Sequence, residues 1–185
     1  MEQHQDFRQQ QQHKGLQVVV KMGKFLKQGK VVVLTNGRFA GRKAIVLKTF
    51  EDGTSSRKFQ HMLVAGIDKY PKKLHSKMSE KVIKKRATIR PFIKMVNYNH
   101  VMPTRYQVDI DLKKIEVTPK AKEGEDAPEP VVVSVDESCV ADPAKRKQAK
   151  LAVKKVLQEN LFAQNKRKNQ KAQEGVQFFY QKLRF

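Results

Sequence analysis

The stretch Val31-Val32-Val33-Leu34-Thr35-Asn36-Gly37-Arg38-Phe39-Ala40-Gly41-Arg42-Lys43-Ala44-Ile45-Val46-Leu47 decides the fold. Two short apolar runs, rich in β-branched residues, flank a basic connection punctuated by glycines. Runs of this length and composition suit strands better than helices. Asn36-Gly37 is a strong turn signal, because both residues tolerate positive φ. Gly41 has no Cβ, so the chain can turn sharply there and a phosphate can approach the backbone. A nucleotide-binding P-loop is excluded, since its glycines stand further apart and precede Lys and Ser or Thr, whereas Arg42-Lys43-Ala44 follows here.

Outward from this hairpin, Glu51-Asp52-Gly53-Thr54 marks another turn, and Phe59 to Ile67 supplies a third strand candidate. Phe92 to Val96 and Tyr106 to Ile110 alternate as strands do. A barrel of short strands is the natural solution, because closure removes exposed edges. Asp142-Pro143 predicts a helix start, with an N-cap acid before proline at the first position. Ala149, Val153, Val156, Leu157 and Leu161 then follow a helical spacing. The chain ends Phe178-Phe179-Tyr180-Gln181-Lys182-Leu183-Arg184-Phe185, whose aromatics need a groove on the body or in an assembled particle. The expected class is mainly β with α: an SH3-like barrel, extra strands, a C-terminal helix and an extended basic tail.

Charge points to the partner. The 185 residues carry 39 Lys and Arg against 18 Asp and Glu, a net charge of +21. A free globular domain gains nothing from such self-repulsion, so a polyanion is expected. The charge is uneven: residues 53–108 hold thirteen bases and two acids, while residues 109–142 hold four bases and ten acids. One cysteine, Cys139, rules out a disulfide framework within the chain and a multi-cysteine zinc site. No apolar run approaches a membrane span or a signal-peptide core, and the apolar face after Pro143 is modest for a membrane-surface helix. Neither paired carboxylates nor a nucleophile–base motif is visible, so no cofactor, metal or small-molecule substrate is expected.

Residues 69–94 concentrate the charge, with Lys72, Lys73, Lys84, Lys85, Arg86 and Arg90 among ten bases and Glu80 the one acid. Contacts to phosphate would relieve that repulsion and release counterions. Leu74, Met78, Val82, Ile83 and Ile89 interleave with the bases, so one face can pack while the other meets phosphate. Tyr98, His100 and Arg105, between the later strands, suit either stacking on unpaired bases or packing within the protein.

Residues 26–52 resemble a KOW motif, the RNA-binding element of several ribosomal proteins and elongation factors. Gly41 stands at its hallmark glycine, with Ala44 where many members carry a second one. Beyond it, Gly23-Lys24-Phe25-Leu26-Lys27, Val64-Ala65-Gly66-Ile67-Asp68-Lys69-Tyr70-Pro71, Val96-Asn97-Tyr98-Asn99-His100, Met102-Pro103-Thr104-Arg105-Tyr106 and the aromatic C-terminus occur in order. Together they resemble the family of the twenty-seventh large-subunit ribosomal protein of the eukaryotic series, with Phe178 where that family usually has Trp. The resemblance implies a structural, non-enzymatic constituent of the cytosolic 60S subunit. It would bind rRNA beside neighbouring ribosomal proteins and pass through the nucleolus during assembly.

Four segments are expected: a disordered Gln-rich extension over 1–21, the barrel with its basic stretch over 22–118, an acidic flexible insert over 119–139, and a basic helix with an aromatic tail over 140–185. The expected phosphate contacts are Arg38, Arg42 and Lys43 at the tip of the Gly41 loop, the six central bases named above and Arg105. Lys145, Arg146 and Lys147, Lys166, Arg167 and Lys168, and Lys182 and Arg184 extend them toward the C-terminus. The rival is a KOW-type regulatory factor of transcription elongation, binding polymerase and nascent RNA. It would need a further polymerase-binding domain, and none is evident.

Overall fold

The computed structural model describes residues 25–112, 114–117, 131–163 and 170–184. The Gln-rich extension, residues 118–130 of the acidic stretch and the bases Lys166, Arg167 and Lys168 lie outside the described residues.

Five antiparallel strands form the main sheet: β1 (Lys30–Leu34), β2 (Lys43–Phe50), β3 (His61–Lys69), β4 (Arg90–Asn97) and β5 (Val101–Gln107). Their spatial order is β4-β3-β2-β1-β5. The first four form a meander, a 3-10 turn at Tyr98–His100 follows, and β5 returns to pair with β1 (Leu34 opposite Val101). This curls the sheet as a KOW-like barrel requires. Pro91 and Pro103 sit on the two edge strands, β4 and β5, where a missing N–H costs least and discourages further pairing.

Both faces of the sheet are buried, which explains the unbroken apolar runs. Strand alternation sends Val32, Leu34, Ala44, Val46, Met62, Val64, Phe92 and Val96 into the barrel, with Leu26 and Tyr98. The opposite parity, including Val31, Ile45, Leu63, Ala65, Ile67 and Ile93, forms a second core outside it. Helices cover that second core. The described helices are α1 (Glu80–Arg86), α2 (Ser138–Ala141), α3 (Pro143–Phe162) and α4 (Gln170–Tyr180). Asp142 caps α3, its Oδ1 accepting from the Ala144 N–H at 2.9 Å, with Pro143 beginning the helix as the sequence predicts. Ala149, Ala152, Val153 and Leu157 form the buried stripe of α3.

Of the segment expected to be a flexible acidic insert, residues 131–139 are described. Val131–Ser134 forms strand β7, paired with β6 (Lys114–Val117), and Cys139 is buried in α2, its Sγ donating to Ser134 O. Consecutive β-branched valines favour a strand despite the acids around them.

The chain's end returns to the barrel. Gly175, Val176, Phe179 and Tyr180 are buried along one side of α4. The Tyr180 hydroxyl donates to Leu157 O at 2.7 Å, tying α4 to α3. Gly175 lies so close to β5 that a Cβ there would stand 2.4 Å from Gln107 O. Alanine is a better helix former than glycine by about 1 kcal/mol. Here the obstacle is a backbone carbonyl, which cannot swing aside. Gly175→Ala is therefore expected to destabilise the protein by about 1–3 kcal/mol. Denaturant unfolding measures this, and an unchanged or raised midpoint would contradict the close packing of α4 on β5.

Candidate nucleic-acid interface

The Gly41 loop is rigid. The Gly41 N–H donates to Leu34 O at 2.7 Å, Ala40 N–H to Gly37 O at 3.0 Å and Arg42 N–H to Phe39 O at 3.0 Å. Gly37 and Gly41 take φ of +82° and +73°, a region costly for other residues. No atom lies within 4 Å of the place a Cβ on Gly41 would occupy, so its side of the loop is open.

The three bases expected at the tip separate. Arg38 is exposed. Arg42 is half-buried, with its Nε 3.5 Å from Asp68. The same carboxylate receives Arg90 Nε at 2.8 Å, so two expected phosphate contacts share one acid.

Lys43 corrects the expectation. It is 1% exposed, and its Nζ donates to Phe178 O at 2.6 Å and to Gln181 O at 2.7 Å. The ammonium also lies 3.7 Å from the centroid of the Phe178 ring. The reason is parity: residue 43 opens β2 on the same side as Ile45 and Leu47, the face that the C-terminal helices cover. There the cation meets carbonyls at the end of α4, where helix geometry favours positive charge. Lys43 cannot reach phosphate from this position.

The central stretch does gather. The Lys72 N–H donates to Arg86 O at 3.0 Å, bringing Lys72 and Lys73 beside the end of α1 with Lys84, Lys85 and Arg86. The four lysines are exposed, and none of the seven residues of α1 is buried. Arg86 is half-buried, its guanidinium 3.7 Å from Met78 Sδ. Glu80 lies 3.9 Å from Lys84, but both side chains are at least four-fifths exposed and the pair neutralises little.

Arg105 is exposed on β5 and donates to the Tyr106 hydroxyl at 2.9 Å. Tyr98 is 7% exposed inside the barrel and so cannot stack on a base, while His100 is exposed. Lys145 and Lys147 are exposed in the first turn of α3, and Arg146 is half-buried with its guanidinium on Val140 O. That turn holds no acid, and a helix start disfavours cations, so these bases lack the dipole support that Lys84 to Arg86 enjoy at the end of α1. Lys182 and Arg184 are exposed beyond α4. Two features escaped the sequence reading: Asp68, which links Arg42 to Arg90, and Phe39, an aromatic among the bases of the loop.

Among the described residues no group of three or more His, Cys, Asp or Glu could hold a metal ion, and no helix is long and apolar enough to cross a membrane.

Burial pulls the Lys43 ammonium down to about 8 from its ordinary value of 10.5. Between those limits the unfolded chain binds more protons than the folded one. This contribution to stability therefore rises from pH 8 to 10.5 and is lost as pH falls through 8. Burial raises Tyr70, whose hydroxyl accepts the Lys43 N–H at 2.9 Å, so it keeps its proton over most of that window. Lys43→Met takes the ammonium donor from both carbonyls, leaving Phe178 O only the Gln181 N–H at 3.3 Å, and is expected to cost about 1–3 kcal/mol. Thermal melts at several pH values should show the advantage of wild type over Lys43→Met widening from about pH 8 to pH 10. A constant difference would contradict the buried ammonium.

Among protein families, the model of the Ribosomal L27e protein family matches residues 31–131, which is more than half of the chain.

Proposed function

The chain belongs to the Ribosomal L27e protein family, a structural constituent of the ribosome, and from that premise we propose that it binds and stabilises large-subunit rRNA within the cytosolic 60S particle, beside neighbouring ribosomal proteins. The observation that carries this reading is the joining of Lys72 and Lys73 to Lys84, Lys85 and Arg86 around a helix with no buried residue. A packed protein gains little from a short helix in which only Ile83 and Arg86 are even half-buried and four of seven residues are bases. A phosphate backbone supplies the missing counter-charge, and the displaced ions drive association.

Arg38 adds an exposed charge at the Gly41 loop. Arg42 and Arg90 act as a pair on Asp68, each with part of its charge already answered. Arg105, Lys145, Lys147, Lys182 and Arg184 extend the basic surface, and Arg146 contributes what its contact with Val140 leaves free. Contacts of this kind position RNA without reading its sequence. Assembly in the nucleolus belongs to the same proposal. A KOW-type elongation factor is not favoured, because the matched family is ribosomal.

Binding to large-subunit rRNA should weaken steeply with salt. Replacing Lys72, Lys73, Lys84 and Lys85 with Gln should lower the slope of log affinity against log salt by about 3, at about 0.7–0.9 per lost phosphate contact. Lys43→Met should leave that slope as it is. Filter binding across a salt series tests both, and an unchanged slope in the fourfold variant refutes the assignment. On sucrose gradients the chain should stay with 60S particles after a high-salt wash. Its release into the light fractions would count against an integral place in the subunit.

A further inference from the structure

Phosphate binding gives no reason for Phe39. It sits at the tip of a basic loop between the exposed residues Arg38 and Ala40, and it is only half-buried. One face of its ring is taken: Phe92 stacks on it with centroids 4.0 Å apart and planes within 4°. Phe92 is itself held firmly, being 2% exposed and seated against Gly66, where a Cβ would stand 2.4 Å from its Cζ. Gly66, Phe92 and Phe39 thus form a column rising from the barrel core to the loop, and the loop's backbone hydrogen bonds fix the ring at its top.

Two cations lie over that ring at the outer limit of contact. The Arg38 guanidinium carbon lies 5.8 Å and the Lys94 Nζ 6.0 Å from its centroid. Neither has a carboxylate within ion-pair distance among the described residues. A rigid aromatic ring beside two unanswered positive charges matches an aromatic base with its adjoining phosphates. Both charges sit on long side chains that can move to make room.

We propose that Phe39 is a stacking platform for one unpaired RNA base, with Arg38 and Lys94 contacting the phosphates on either side of that nucleotide. Paired bases in a duplex have their faces covered by neighbours, whereas a bulged or looped-out base offers a free face. The inference rests on the RNA-binding reading above and adds a preference to it: the loop end takes an unpaired nucleotide, while the lysines around α1 take backbone of any sequence. The aromatic contact tolerates every base, because each has a π face.

The test uses the full chain and two RNA hairpins, one fully paired and one with a single bulged nucleotide carrying fluorescent aminopurine. Wild type should bind the bulged hairpin about tenfold more tightly and quench the fluorophore, in line with one base–aromatic stack. Phe39→Leu should bring the two affinities together and abolish the quenching, while Phe39→Tyr, which keeps the ring, should retain both. If Phe39→Leu does not fold, the preference and quenching of wild type decide alone. Equal affinities without quenching would overturn the stacking site and leave the RNA-binding reading standing. Failure to bind either hairpin would overturn both.

Discussion

A lysine ammonium withdrawn from water and held by two carbonyls joins the two ends of this molecule. Lys43 opens β2, and its acceptors, Phe178 O and Gln181 O, lie at the end of α4, more than 130 residues later in the chain. Burying such a charge is costly unless it is well paired. The pairing comes from a helix terminus, whose last carbonyls keep acceptor capacity that the helix does not fill. Phe178 joins the contact twice, beneath the ammonium and stacked on Tyr106 with centroids 4.4 Å apart. The aromatic end of the chain is thereby seated on the outer face of the barrel, where Phe179 and Tyr180 complete the second core.

This arrangement divides the labour of the basic residues. One lysine serves the fold and is lost to any partner. Arg42 and Arg90 are half-committed, since Asp68 holds both. The lysines around α1 are exposed, and among Lys72, Lys73, Lys84 and Lys85 only Lys84 has a carboxylate near it, the weakly held Glu80. Counting bases cannot distinguish these three conditions, although only the last leaves a full charge for phosphate. A net charge of +21 therefore overstates what an RNA would meet on some faces and describes others well.

The loop between β1 and β2 shows how a stiff backbone and a stiff core cooperate. Its glycines permit the turn, its hydrogen bonds hold it, and the Phe92–Phe39 stack connects it to the barrel interior. The Thr35 N–H also donates to His100 O at 3.1 Å, so the loop is braced against the 3-10 turn before β5. Whatever binds at the loop meets a backbone and an aromatic ring already held in place, so little backbone entropy is lost on binding.

Much of the molecule was determined by local chemistry and could be read directly. The Val31–Leu47 hairpin followed from β-branched runs around Asn-Gly, the start of α3 from Asp142-Pro143, and the excess of unanswered charge in 69–94 from composition. These depend on neighbours in the chain, and the chain displays its neighbours. Tertiary structure alone decided which face of each strand would be covered and by what. Lys43 looked like part of a basic loop because its parity with Ile45 matters only once α4 lies on that face. Tyr98 suited stacking and packing equally in the sequence, because nothing local shows that it points into a barrel. Asp68 and Arg90, 22 residues apart, meet only when β3 pairs with β4. Burial and long-range pairing are set by segments distant in sequence, so the fate of a single cation or ring cannot be read from its own surroundings.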